Sequence, residues 1–194
     1  MGGAATTTYK RLASLLAAKS SHDPTVEVAI MNGLTTNLHL GMYAVESQIR
    51  HHQYDPAVSL ITIGPRLDEH TIRKEDVLAK ISEEGHSIAL VLFSGVQYIT
   101  GQFFNIEAII KAAHSKGCYV GIDLAHAIGN VELHLTDWGV DFACWCNYKY
   151  MNGGPGSIGG FYLHKKHAQD FTIPRFLGWW AHRSETRFDM TNCK

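Results

Sequence analysis

The chain has 194 residues, 45% of them apolar, and a formal net charge of −1. That is enough apolar sequence for one α/β domain with its own core. Near-neutral, evenly mixed charge offers no electrostatic case for a nucleic-acid or membrane partner, and no apolar stretch approaches the ~20 residues of a membrane span.

Four cysteines occur, Cys118, Cys144, Cys146 and Cys193. Three of them lie in apolar runs, where cysteine acts as a small hydrophobe. The C-x-C spacing of Cys144 and Cys146 has no second pair to complete a metal site, so no metal is expected. A soluble cytoplasmic chain with reduced thiols is the expectation.

In chain order, Tyr9–Lys19 has a helical apolar pattern, with Leu12, Leu15 and Leu16 on one face. Val26–Ile30 reads as a short strand running into Asn32-Gly33-Leu34-Thr35-Thr36. Such a strand–turn–helix junction is a candidate phosphate cradle, because a helix N-terminus presents unpaired amides to anions. Asn37–His51 reads as helix, and Val58–Ile63 as a strand ending at Gly64-Pro65. Thr71–Ser82 is an amphipathic helix with Ile72, Val77, Leu78 and Ile81 on its apolar side.

Ile88–Phe93 is a continuous apolar run of the kind found in buried parallel strands, and it ends at Ser94-Gly95. Asn105–Ser115 is the next helix, stopped by Gly117. Cys118–Ile122 is a strand that delivers Asp123. Asp141–Cys146 is another, leading to Asn147-Tyr148-Lys149, and Ser157–Leu163 follows Gly153, Gly154 and Gly156. His164–Phe171 closes the series as a short helix. The alternation predicts an α/β fold: a mostly parallel sheet with helices on both faces. No G-x-G-x-x-G follows the first strand, which disfavours a dinucleotide-binding domain.

Two residues carry a chemical suggestion. Lysine is rare beside so much apolar sequence, because burying an ammonium is costly. A lysine that sheds its charge there is an amine nucleophile able to form a Schiff base, so Lys149 is a candidate. Asp123 ends a buried strand, where open α/β sheets place their ligands. An amine and a carboxylate so placed suggest pyridoxal phosphate, the amine for its aldehyde and the acid for its pyridinium nitrogen. The same residues also read as a snorkelling lysine and a helix cap.

Several longer words carry a resemblance. They are Met31–Thr35 (M-N-G-L-T), Phe93–Val96 (F-S-G-V), Thr100–Gln102 (T-G-Q), Lys116–Asn130 (K-G-C-Y-V-G-I-D-L-A-H-A-I-G-N), Asp137–Tyr150 (D-W-G-V-D-F-A-C-W-C-N-Y-K-Y) and Gly178–His182 (G-W-W-A-H). Together they closely resemble the kynureninase family, pyridoxal-phosphate hydrolases of aminotransferase fold type I.

The resemblance runs from about Val26 to Met190, leaving residues 1–25 as a non-matching segment and 26–194 as a cofactor-binding large domain without the family's C-terminal domain. It implies hydrolysis of L-kynurenine or 3-hydroxykynurenine to anthranilate or 3-hydroxyanthranilate and L-alanine, in a homodimer. Lys149 is then the Schiff-base residue and Tyr148 an assisting general acid. The implied cofactor contacts are Leu34, Thr35, Ser94, Asp123, His126, Tyr148, Lys149 and Trp179. Taken singly, Ser94 is also a turn cap, His126 a structural histidine, and Tyr148 and Trp179 packed aromatics.

The sequence departs from the family in one internal place. Family members carry a connection, a strand and a Phe-Pro-Ser-Asp loop, whose aromatic stacks on the cofactor, before the helix matched here by Tyr43–Gln48. Only Leu40-Gly41-Met42 separates His39 from Tyr43, and three residues span at most about 11 Å. Asn37–His51 is therefore expected to run as one helix broken or bent near Gly41, in a sheet lacking one strand. The alternatives to an active hydrolase are a catalytically impaired cofactor-binding or interaction fragment, and another fold type I enzyme such as a cysteine desulfurase or aminotransferase.

Overall fold

The computed structural model describes residues 40–168, together with 170, 172, 185, 186, 188 and 189. Leu34, Thr35, Trp179 and residues 1–25 lie outside the described residues. In order, the elements are α1 (Leu40–His51), α2 (Pro56–Ser59), α3 (Lys74–Glu84), β1 (Leu90–Ser94), α4 (Ile106–Ser115), β2 (Tyr119–Asp123), α5 (Leu135–Trp138), β3 (Phe142–Cys146), β4 (Gly159–Leu163) and α6 (Lys165–Ala168). The sheet is ordered β1-β2-β3-β4. Strands β1, β2 and β3 are parallel, and β4 runs antiparallel to β3. This is the mostly parallel α/β sheet that the alternation predicts. No helix among the described residues is long and apolar enough to cross a membrane.

Local chemistry sets the element bounds. Asn105 caps α4, its side-chain oxygen accepting from Ala108 N at 2.9 Å. The helix ends where Gly117 takes φ 80°. Gly117 N then bonds His114 O and Cys118 N bonds Ala113 O, the paired bonds of a Schellman motif.

One expectation is corrected. The strand expected over Val58–Ile63 is not one: Asp55 caps Ala57 N at 2.9 Å and Pro56 occupies the first helical turn, so Pro56–Ser59 coils into α2. The apolar run thereby loses its first two residues to a helix, and the rest forms no strand pairing. Of the helix expected over Asn37–His51, the part from Leu40 runs through Gly41 and Tyr43 to His51, and residues 37–39 lie outside the described residues.

The core lies mainly on one face of the sheet. Val77 and Ile81 of α3 and Ile106, Ile109, Ile110 and Ala113 of α4 bury against Val91, Val120, Ile122 and Ala143. On the other face, Phe142 is buried with Leu90, Phe161 and Leu163 around it. Because strand side chains alternate, Asp123 lies on this second face with Gly121, away from Ile122.

One buried polar group ties these layers together. Asp141, 2% exposed, begins the turn into β3. Its carboxylate accepts from Val120 N at 2.7 Å and from His114 Nε2 at 2.8 Å, and meets His167 Nε2 at 2.6 Å and Lys166 Nζ at 2.7 Å. Burial alone would raise its pKa. The hydrogen bonds from His114, His167, Lys166 and the Val120 amide outweigh burial and hold the group well below the usual carboxylate range.

A depressed carboxylate pKa stabilises the fold fully above the unfolded value, about 3.9, and that contribution is lost as pH falls through the folded value. Asp141→Ala orphans buried donors and is expected to cost about 3 kcal/mol by urea unfolding at pH 7. Below pH 4 the gap between the two proteins should narrow; an unchanged gap would rule out an ionised Asp141 as its source.

Candidate active site

The ends of three parallel strands converge on one edge of the sheet. Ser94, the last residue of β1, is the register partner of Asp123, the last residue of β2, and Asp123 is in turn opposite Cys144 in β3. The three therefore form a row across the strand ends. Lys149 follows β3 by three residues, on the same edge.

The turns beyond the strands are pressed against one another. Gly95 N bonds Asp123 O at 2.8 Å and Leu124 N bonds Cys144 O at 2.8 Å, extending the pairing past the strands. A Cβ at Gly95 would lie 2.9 Å from Ala127 Cβ. Gly129, at φ +74°, brings the 124–130 turn so near the Lys149 loop that a Cβ there would lie 2.7 Å from Tyr150 O. These contacts require glycine for lack of room and, at Gly129, for backbone conformation.

The side chains at this edge form a polar cluster among aromatic rings. Asp123 Oδ1 accepts from Ala125 N at 2.9 Å, which fixes the carboxylate at the strand end. His126 Nε2 lies 2.8 Å from Lys149 Nζ. The His126 ring is flanked by Tyr98, at 6.3 Å between centroids, and by Tyr150 at 6.0 Å. Burial, and then the Lys149 charge, lower the His126 pKa from its ordinary value. Lys149 Nζ also sits 5.6 Å from the centre of the Tyr148 ring, in reach of a cation–π contact.

Cys144 is an inert neighbour. Burial, followed by the Asp123 and Cys146 charges, pushes its thiol up to about 12. Together with the burial of Cys118 and Cys146, this fits the reading of these cysteines as small hydrophobes.

Of the residues singled out from sequence, Ser94, Asp123, His126, Tyr148 and Lys149 all fall on this edge. His126 and Lys149 are in direct contact, and Ser94 and Asp123 are register neighbours. His126 rides on a hydrogen-bonded turn rather than a helix. Tyr98 and Tyr150 were not singled out. Both lie inside the words G-V-Q-Y-I-T-G and C-N-Y-K-Y, but ring contacts across separate loops leave no trace in local spacing. An ionisable carboxylate, a primary amine and an imidazole at one strand-end edge form a donor set suited to pyridoxal phosphate, which needs an acid for its ring nitrogen and an amine for its aldehyde.

Residues 28–186 match the family described as aminotransferase class-V, whose enzymes depend on pyridoxal phosphate. The chain is 48% identical over 205 residues to a kynureninase of Nematostella vectensis, covering 93% of this chain and 43% of the relative. It is 50% identical over 188 residues to a kynureninase of Koribacter versatilis, covering 84% of this chain and 44% of the relative. The chain thus spans less than half the length of these curated relatives. The first alignment, at 205 positions, is longer than the chain's 194 residues, so it includes positions that have no residue here. Among solved structures, the pyridoxamine-pyruvate aminotransferase of Mesorhizobium loti superposes with a TM-score of 0.53 at 15% identity, covering 86% of this chain and 47% of that one. That likeness is one of fold.

The close approach at Gly129 generates a test. Gly129→Ala places a side chain at positive φ, at about 1–2 kcal/mol, and forces the turn away from Tyr150. We expect lowered stability in urea and a His126 imidazole resonance shifted toward that of an isolated histidine. An unshifted resonance would mean that the turn does not hold His126 against Lys149.

Proposed function

Because this chain belongs to the aminotransferase class-V family, we propose that it binds pyridoxal phosphate through Lys149 and carries the cofactor-binding part of a kynureninase. The observation that supports this reading best is the meeting of Asp123, His126 and Lys149 at one edge of the parallel sheet. The relatives add kynureninase as the specific activity.

The reaction splits the bond between the β- and γ-carbons of L-kynurenine or 3-hydroxykynurenine. The oxygen of water ends in the carboxylate of anthranilate or 3-hydroxyanthranilate, and hydrogen is added to the carbon that becomes the methyl of alanine. The bound cofactor supplies an electron sink for the substrate's α-carbon. Asp123, oriented by the Ala125 amide, would hold the ring nitrogen. Ser94 and His126 would contribute polar contacts beside it. Lys149 would hold the aldehyde carbon and would move a proton at the substrate's α-carbon. Tyr148, next in sequence and half-exposed, gives a proton to the departing carbon fragment. Leu34, Thr35 and Trp179 complete the proposed binding set. The family resemblance adds a homodimer and a cytoplasmic setting.

The same reading includes a weakness. The residues that the longer relatives carry and this chain lacks are proposed to be the strand and the Phe-Pro-Ser-Asp loop, whose aromatic would stack on the cofactor. Without that ring, cofactor affinity and turnover are low.

Three measurements test this. Borohydride reduction of the chain with pyridoxal phosphate, followed by peptide mapping, is expected to label Lys149; labelling at Lys111 or Lys116 instead would defeat the assignment. Asp123→Asn is expected to cut anthranilate release far more than it shifts the urea midpoint. Restoring the missing segment between His39 and Tyr43 is expected to raise kynurenine cleavage by an order of magnitude or more, whereas equal rates would show that the gap has no catalytic consequence.

A further inference from the structure

One close side-chain contact at the site joins two groups that each seek a proton partner. At 2.8 Å, one of His126 Nε2 and Lys149 Nζ must donate to the other. An imidazolium facing an ammonium would repel it, and His126 is already biased toward neutrality by its half-buried setting and by the Lys149 charge. A neutral imidazole with Nε2 unprotonated accepts from the lysine ammonium. The alternative pairing, a protonated Nε2 facing a neutral amine, places the mobile proton on the same axis. Either way a proton path runs along this 2.8 Å line.

An ammonium has no lone pair with which to attack a carbonyl. We propose that His126 is the proton acceptor that readies Lys149 to capture an aldehyde, an inference that rests on the assignment of Lys149 as the cofactor-holding residue.

In the step, a Lys149 N–H bond breaks, its electron pair stays on nitrogen, and the proton passes to His126 Nε2. The nitrogen pair forms a bond to the aldehyde carbon while the carbonyl π-pair moves to oxygen, which takes up a second proton from the same nitrogen. His126 then returns its proton to that hydroxyl, which leaves as water as the nitrogen pair closes the carbon–nitrogen double bond. One ammonium and one aldehyde become one protonated imine and one water. His126 ends as it began, and no oxidant or reductant is needed.

The surroundings suit this role. Tyr98 from the β1–α4 loop and Tyr150 from the Lys149 loop flank the imidazole. Tyr148 lies beside the lysine, and Asp123 stands three residues before His126 at the end of β2. The Gly129 approach holds the two turns together. Lys149 and Asp123 carry the formal charges here, and Lys149 is in direct contact with the imidazole.

The test uses the full chain and pyridoxal phosphate as the probe, with cyanoborohydride trapping and mass-spectrometric counting of pyridoxyl-Lys149 against time. Wild type is expected to capture the probe at a rate that falls as pH drops through the lowered His126 pKa, because the acceptor is then filled. In His126→Gln the rate at pH 7 is expected to fall about 100-fold, with that inflection lost. In His126→Gly, added imidazole should restore it in proportion to concentration.

Equal rates and pH profiles in wild type and His126→Gln would overturn the inference while leaving Lys149 as the labelled residue. Labelling at another lysine in both proteins would instead overturn the assignment on which it rests. Should the variants fail to fold, nitrogen NMR of the wild-type chain decides: an unprotonated Nε2 at pH 7, titrating at higher pH in Lys149→Met, is expected, and an Nε2 that titrates identically in Lys149→Met overturns the proposal.

Discussion

A buried carboxylate is the constraint on which the rest of the arrangement depends. Asp141 is almost wholly out of water, so its charge survives only because each lone pair is used. Its main chain bonds Val120 O through its own N–H and accepts from His164 N. Its side chain reaches Val120 N, His114 of α4, and Lys166 and His167 of α6. The group therefore fixes β3 against β2 in register and anchors a helix on one side and the chain leaving β4 on the other. A slip of one residue between β2 and β3 would break those bonds and turn every side chain of the slipped strand to the opposite face. Asp123 would then no longer stand opposite Cys144, and Lys149 would move along the edge.

The site itself is built less by the sheet than by what the sheet presses together. Parallel strands deliver Ser94, Asp123 and the Lys149 loop to one edge, but they do not by themselves bring His126 to Lys149. That contact comes from two turns packed backbone to backbone, where Gly95 and Gly129 leave no room for a side chain. The chemistry follows from that economy of space. A lysine held among tyrosine rings, beside an imidazole, has its proton partner chosen by the fold before any ligand arrives. The thiol of Cys144, in the same row as Asp123, is held protonated by burial and by that acid, so it does not compete as a nucleophile.

Much of this was legible in the residues because the signals were strong ones. The runs Ile88–Phe93, Cys118–Ile122 and Phe142–Cys146 are continuous, apolar and rich in branched or aromatic side chains, and each forms a strand within two residues of the expected bounds, although Leu92 of β1 is exposed. Asn105 and Gly117 bracketed α4 through capping chemistry. Val58–Ile63 misled because its β-branched residues outweighed the Asp55-Pro56 start signal just before it. The direction of β4 was also readable in retrospect. Asn147–Ile158 contains no helix to carry a crossover, and without one the chain returns antiparallel. By contrast, the partners of Asp141 lie 27 and 26 residues away, and Lys149 is 23 residues from His126. No local pattern encodes such pairs. The family resemblance gave His126 and Lys149 a common cofactor, whereas nothing in the sequence pointed to the partners of Asp141.

The placement of these residues separates two requirements of the proposed site. Ser94, Asp123, His126 and Lys149 all fall between β1 and the loop after β3, where Ser94 and Asp123 are register partners and His126 meets Lys149. The proposed capture of an aldehyde at Lys149 draws on the His126 contact within this stretch. Sustained turnover draws on more, since the cofactor must be gripped on its face as well as at its nitrogen and aldehyde, and affinity for a planar ring comes largely from stacking and apolar burial. The stacking loop proposed for the longer relatives bears on the second requirement and not on the first. On the proposed reading, capture at Lys149 and cleavage of substrate are separable demands, the first resting on a proton partner at 2.8 Å and the second on a grip over the whole ring.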